Sequence, residues 1–360
     1  MTDTKKPIKI RLGSFDFIKG LGIILVILSH TIGRYSASPS PVIRFTEFSV
    51  LLVAKVLMTM FFLISGYSFR ANSPKKMLKK SFSELMVPYL IIMGAYAVLY
   101  PIVNYPAYSS FKASVARSTQ FVAAFLLGWT SSGRTFLNYE LAWCTAAWFF
   151  FALFIAMNVL NLIMKAKKET YRAALVILCV SSGYFMVKND FLLFCIPQGL
   201  QAVAYCYVGY LLKKYRIIER IIDKVWVYAA LALVYFMEYR WGTFDMSQGE
   251  FGVLFLELIG TISSALLLML ISIHVSRHEL RCLEWISTIG FYSYWLLSIH
   301  AVEMEVIPWY YMPLTMPNHL LLAFICELLI KIVIMTTVCM LLKHLSKLRY
   351  QRRRIALNGK

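Results

Sequence analysis

Long apolar runs separated by short basic clusters leave this chain one kind of fold. Of its 360 residues 59% are hydrophobic and 15% charged, with a mean hydropathy of +0.66, the composition of a polytopic membrane protein. In a bilayer every backbone N–H and C=O must find a partner within the protein, so segments of this length and polarity become helices. Ten of them are expected, at about 15–35, 48–69, 84–103, 142–164, 172–187, 191–212, 225–239, 251–275, 286–306 and 319–343. The fifth and seventh are short. No stretch between them is large enough for a soluble domain, and the longest, 104–141, holds one further apolar patch around Phe121–Trp129. The expectation is an all-α membrane bundle of about ten helices. A basic N-terminus (1–14) precedes the transmembrane domain (15–343), and a basic tail (344–360) follows it.

The basic residues set an orientation. Of 37 Lys and Arg, 27 fall in the N-terminus, the loops at 70–83, 165–172, 213–224 and 276–285, and the tail from Lys343; the intervening loops hold 7. Short cytoplasmic loops collect this excess, so both termini are expected inside. The formal charge of +19 is thus absorbed by topology and by attraction to anionic lipid, and no nucleic-acid partner is implied. Seven cysteines occur singly, without the close pairs of metal or redox sites, so no metal and no disulfide are expected. The first apolar run is not read as a cleaved signal, because it carries Asp16, Lys19 and His30.

Those three residues are the clearest chemical signal. Ionisable side chains at membrane depth are costly enough to be read first as functional. Along a helix the 11 steps from Lys19 to His30 return to the same face, about 16 Å further on. Asp16, three residues before Lys19, joins that stripe. Two readings stand side by side: a proton-handling site served from both membrane faces, or a snorkelling Lys19 paired with Asp16 and a packing histidine. Other polar residues have plainer explanations. Glu327 and Lys331, four apart, read as an intrahelical ion pair, and Lys55 and Glu257 as partners or as snorkelling ends. Glu303 and Glu305 read as solvated interface charges, and Trp129, Trp143, Trp309, Tyr310 and Tyr311 as an aromatic belt in which one or two stack on sugar. Ser65-Gly66 reads as close helix packing. Pro197 is expected to kink the sixth span, with Gln198 and Gln201 satisfying freed backbone groups.

Four segments carry a resemblance. They are Asp16-Phe-Ile-Lys19-Gly20 followed by Ser29-His30; Phe61-Phe62-Leu63-Ile64-Ser65-Gly66-Tyr67 with the basic stretch Lys75, Lys76, Lys79, Lys80 and then Pro88-Tyr89; Trp148-Phe149-Phe150; and Gly290-Phe-Tyr-Ser293-Tyr294-Trp-Leu-Leu297-Ser-Ile-His300. Together, in this order, the chain resembles the acyltransferase 3 family of membrane proteins, particularly its fucose 4-O-acetylase-like branch. It departs in having Glu84 ahead of Pro88, where many relatives carry Arg, and Leu297 where a tyrosine is usual. The resemblance implies a multi-pass protein of the bacterial cytoplasmic membrane. Its implied reaction moves acetyl from cytosolic acetyl-CoA to a hydroxyl of a cell-envelope glycan or lipid-linked sugar. Lys19, helped by Lys75, Lys76, Lys79 and Lys80, would then hold donor phosphate, His30 would be the general base with His300 at similar depth, and Asp16 would orient or neutralise Lys19. The rivals are a transporter or exporter of a small solute or acylated glycan, which would use the same charges for proton coupling, and a membrane scaffold.

Overall fold

The computed structural model describes residues 15–131, 135–136, 139–276 and 281–358. The helices are α1 (Asp16–Ile32), α2 (Pro41–Ser68), α3 (Pro74–Ser81), α4 (Val87–Asn104), α5 (Phe111–Leu127), α6 (Trp148–Ile163), α7 (Glu169–Lys188), α8 (Ile196–Lys214), α9 (Ile217–Ile221), α10 (Val225–Trp241), α11 (Leu254–Ser276), α12 (Arg281–Phe291), α13 (Ser293–Val306), α14 (Tyr311–Thr315) and α15 (Leu320–Asn358). A π-turn, Phe82–Met86, joins α3 to α4, so that 74–107 is one helical rod of 34 residues. The two-residue strands Thr135–Phe136 and Tyr139–Glu140 pair as an antiparallel ribbon between α5 and α6.

Among the described residues, seven helical stretches are long and apolar enough to cross a membrane: 16–35, 41–68, 74–107, 145–163, 169–188, 254–276 and 320–345. The other three expected spans correspond to α8, to the 17-residue α10, and to α12 with α13. The last pair breaks at Tyr292, which leaves two short helices where the sequence pattern predicts one long one. Bulky apolar side chains point outward along these elements, Phe185, Val225, Trp226 and Val333 among them, as suits contact with lipid tails.

Small residues set the tightest crossings. At Gly20 an added Cβ would overlap the Ile286 carbonyl, and at Gly290 it would overlap the Asp16 carbonyl, so α1 and α12 meet backbone to backbone. Gly66 and Gly209 do the same for α2 and α8, against the carbonyls of Cys206 and Leu63. The packing role expected of Ser65-Gly66 is therefore the one seen. Asn161 exchanges hydrogen bonds with the Asn72 backbone (2.9 and 3.1 Å), and Glu169 holds Arg172, Lys214 and the Tyr207 hydroxyl. These contacts gather the ends of α2, α6 and α8 and the start of α7 on the side of the basic loops.

Pro197 does not kink a helix. It lies in the first turn of α8, where a missing N–H goes unnoticed, after Phe194 and Cys195 turn the chain through left-handed φ values of 58° and 49°. Gln198 and Gln201 instead pin the loop between α10 and α11. Gln198 donates to Thr130 Oγ1 (2.9 Å) and the Ser247 carbonyl (3.1 Å), and Gln201 to the Gly249 carbonyl (2.9 Å). Glu257 completes the loop's anchorage by accepting from the backbone N–H groups of Thr243 and of Gly252, while Lys55 lies over the Tyr239 ring. Phe244, Met246 and Phe251 are buried as a result, and the loop folds down into the bundle.

Candidate functional site

The four sequence segments converge in space. Phe62 packs on Trp148 and Phe149, with ring centroids 6.2 and 4.9 Å apart, and Phe149 stacks on Tyr294 at 6.4 Å. Ser65 and Tyr294 share a hydroxyl contact of 3.3 Å. At the far end of α1, His30 faces His300 of α13, their ring centroids 5.4 Å apart.

Behind the two histidines lies a buried ionic network. Nδ1 of His300 meets Oε1 of Glu303 at 2.7 Å, and Nε1–H of Trp309 donates to Oε2 of the same carboxylate at 2.5 Å. Lys331 lies 3.7 Å from Glu303 and 2.9 Å from Glu327, donates to Thr31 Oγ1 (3.1 Å), and sits over the Trp309 ring. Arg34, just past α1, pairs with Glu327 at 3.1 Å and donates to the Met304 carbonyl, while the Tyr35 hydroxyl donates to the other oxygen of Glu327 at 2.9 Å. Two cations thus balance two carboxylates, which buried charge requires.

Two sequence-based expectations are corrected by this network and a third is borne out and extended. Glu303 is not a solvated interface charge: it is 8% exposed and bonded to His300, Trp309 and Lys331, because the chain turns back after α13 and lays Trp309 over it. For the same reason Trp309 belongs to the network and not to an aromatic belt. Glu327 and Lys331 do form the i,i+4 pair, but it is the centre of a network that reaches α1 and α13.

His30 also opens the other way, into a cavity of about 410 Å3, a size suited to a small-molecule site. Its walls include Ser29 and His30 of α1, Lys55 of α2, Trp143 and Trp148, and Asp245 with Gln248 from the infolded loop. The carboxylate of Asp245 is held by the backbone N–H groups of Ser247 and Gln248. His300 does not line this cavity. Neither Lys55 nor the loop stood out in the sequence as part of a site. Their only signal was the extra charge of Lys55 within an apolar span.

Asp16 and Lys19 pair at 2.5 Å near the start of α1, where the carboxylate also suits the positive helix end. The side chains of Lys75, Lys76, Lys79 and Lys80 are exposed on α3. Glu84, the departure from the resemblance, lies 4.0 Å from Lys80. Among the described residues no ion pair or hydrogen bond joins Lys19 to this cluster.

The sequence matches the acyltransferase domain of the acyltransferase 3 type over residues 12–344. The chain belongs to that family. As a family member it is a multi-pass membrane acyltransferase, and the match takes in every helix that builds the histidine pair, the network and the cavity. No curated protein and no solved structure matches the chain.

Proposed function

We propose that this acyltransferase moves an acetyl group from cytosolic acetyl-CoA to a hydroxyl of a cell-envelope glycan or lipid-linked sugar, with both termini in the cytoplasm of a bacterial cell. The observation that carries the reading is His30. Among the described residues it is the one histidine lining the 410 Å3 cavity, and that cavity combines hydrogen-bonding groups (Ser29, Asp245, Gln248) with two indole side chains, the mixture a sugar ring fits. An acceptor hydroxyl there needs a base in the transition state, and imidazole has the appropriate proton affinity. Lys19 and Asp16 sit on the same helix toward its other end. Lys19, aided by Lys75, Lys76, Lys79 and Lys80, attracts the phosphates of the donor, and Asp16 keeps its ammonium in place.

The test is to supply purified protein in nanodiscs with acetyl-labelled acetyl-CoA and an alkyl glycoside, n-octyl β-D-glucopyranoside, as acceptor. Labelled ester is expected, and His30→Ala should lower its formation by about 10² or more, the scale of a lost general base. Should acetyl-CoA persist unconsumed while vesicles containing the protein move a solute in a His30-dependent way, a carrier replaces the enzyme.

A further inference from the structure

We propose that His300 and Glu303 form a proton-accepting dyad behind His30, with Glu303 as the positioning residue that decides which nitrogen of His300 is free. The proposal rests on the acyl-transfer reading and adds the second half of its proton path.

The dyad follows from the donors around one carboxylate. Oε1 and Oε2 of Glu303 are met by Lys331 and by Nε1–H of Trp309, so this carboxylate is placed as an acceptor. Nδ1 of His300, 2.7 Å away, therefore carries the proton, and the ring's lone pair is left on Nε2. Among the described residues that Nε2 has no hydrogen-bond partner, although His300 is only 2% exposed. A buried acceptor without a donor calls for an explanation. The ring of His30 supplies one: its centroid is 5.4 Å away, and among the described residues its own nitrogens make no hydrogen bond. His30 thus stands between the cavity and an oriented lone pair that meets no donor.

The step balances as follows. The acceptor hydroxyl gives its proton to one nitrogen of His30 as its oxygen bonds to the thioester carbonyl carbon. The other nitrogen of His30 releases its proton to Nε2 of His300, whose imidazolium is then held against Glu303. When the C–S bond breaks, its electron pair goes to sulfur, and the proton returns through His30 to give the free thiol. The proton passes from one imidazole to the other, and Glu303 stabilises the imidazolium without taking the proton itself. The His300 ring meets His30 from α1 and Glu303 from its own helix, and the charged and titratable groups next around them are Arg34 from the turn after α1, Tyr96 from α4 (whose hydroxyl donates to the Ala301 carbonyl at 2.7 Å), Glu327 and Lys331 from α15, Trp309, and Glu305, which lies by Arg34. The two cations, Lys331 and Arg34, share Glu327, and Lys331 also reaches Glu303, so two positive and two negative charges balance.

Two measurements test this, one of them independent of turnover. Protein labelled with 15N-histidine in nanodiscs is examined by NMR, the His300 signals being assigned by their loss in His300→Gln. A protonated Nδ1 and an unprotonated Nε2 at neutral pH are expected, and the opposite tautomer overturns the dyad. In the acetyl-transfer assay, Glu303→Gln should lower kcat about tenfold or more and leave KM for acetyl-CoA unchanged. It should also move the acid limb of the pH–rate profile to lower pH, because an imidazole deprived of its carboxylate protonates less readily. A Glu303→Gln protein that loses rate and unfolds at lower temperature with the acid limb unmoved makes Glu303 a scaffold residue and refutes the proposal. A wild type that never consumes acetyl-CoA refutes the acyl-transfer reading itself, and the dyad falls with it; the wrong tautomer in an active enzyme refutes the dyad alone.

Discussion

Removing one charge of each sign from the buried network should destabilise the protein by less than the two single removals added together. Lys331 is 1% exposed and lies 2.9 Å from Glu327 and 3.7 Å from Glu303. At an effective dielectric constant of about 20 those contacts correspond to gross attractions of roughly 6 and 4.5 kcal/mol. Lys331→Met also removes the ammonium's own desolvation penalty, so the net loss is smaller, about 3–5 kcal/mol, the range found when one partner of a buried pair is deleted. Glu327→Gln strands Arg34 and Lys331 with one carboxylate between them and should lose a similar amount. Lys331→Met combined with Glu327→Gln leaves Arg34 and Glu303, one charge of each sign. The double variant should therefore be more stable than the sum of the singles by about 2 kcal/mol, within the range of couplings between contacting residues. Reversible unfolding in mixed micelles, titrated with a denaturing detergent, gives all three free energies. Single variants within about 0.5 kcal/mol of wild type, the usual effect of an unimportant surface change, or strictly additive losses, would refute the network as a charge-balanced unit.

Other expectations follow from other parts of the bundle. Cysteines placed at Ser73 or Tyr215 should resist an impermeant thiol reagent in intact cells and react after permeabilisation, since both lie in basic loops; labelling in intact cells would invert the topology. Lys19→Ala should raise KM for acetyl-CoA, Lys19→Arg should retain much of the wild-type value, and neither should change KM for acetyl-pantetheine, which lacks the nucleotide phosphates; an equal effect on both donors would show that Lys19 serves Asp16 and not phosphate. Gly290→Ala should destabilise by about 1–3 kcal/mol, the penalty of overpacking, because its Cβ would meet the Asp16 carbonyl; thermal unfolding unchanged from wild type would contradict a direct α1–α12 crossing.

Most of the bundle was legible in the sequence because spanning helices are written locally. Apolar length marks each span, and the seven helices that qualify by length and hydropathy all coincide with expected ones. The remaining elements were harder to read for physical reasons that are also local. Periodicity does not reveal that 286–306 divides at Tyr292, since both halves are apolar and the break is a matter of packing. Nor does it distinguish Pro197 as a first-turn residue from Pro197 as a kink, because the left-handed turn at Phe194 and Cys195 contains no glycine to announce it.

The candidate site divides along the same line. The stripe of Asp16, Lys19 and His30 could be read from one helix, and so could the Glu327–Lys331 pair, because each depends only on spacing within an element. Arg34 and Glu327 are 293 positions apart, and a single sequence holds no record of which helices touch. Glu303 shows how a local signal is misread for want of that record. Its spacing from His300, three residues on a helix, was visible throughout, yet a carboxylate at the end of a span looks solvated until Trp309 is known to fold over it. Burial then reverses its meaning: a charge in water needs no partner, whereas a charge beneath an indole must find donors, and here one of those donors is the histidine that faces His30.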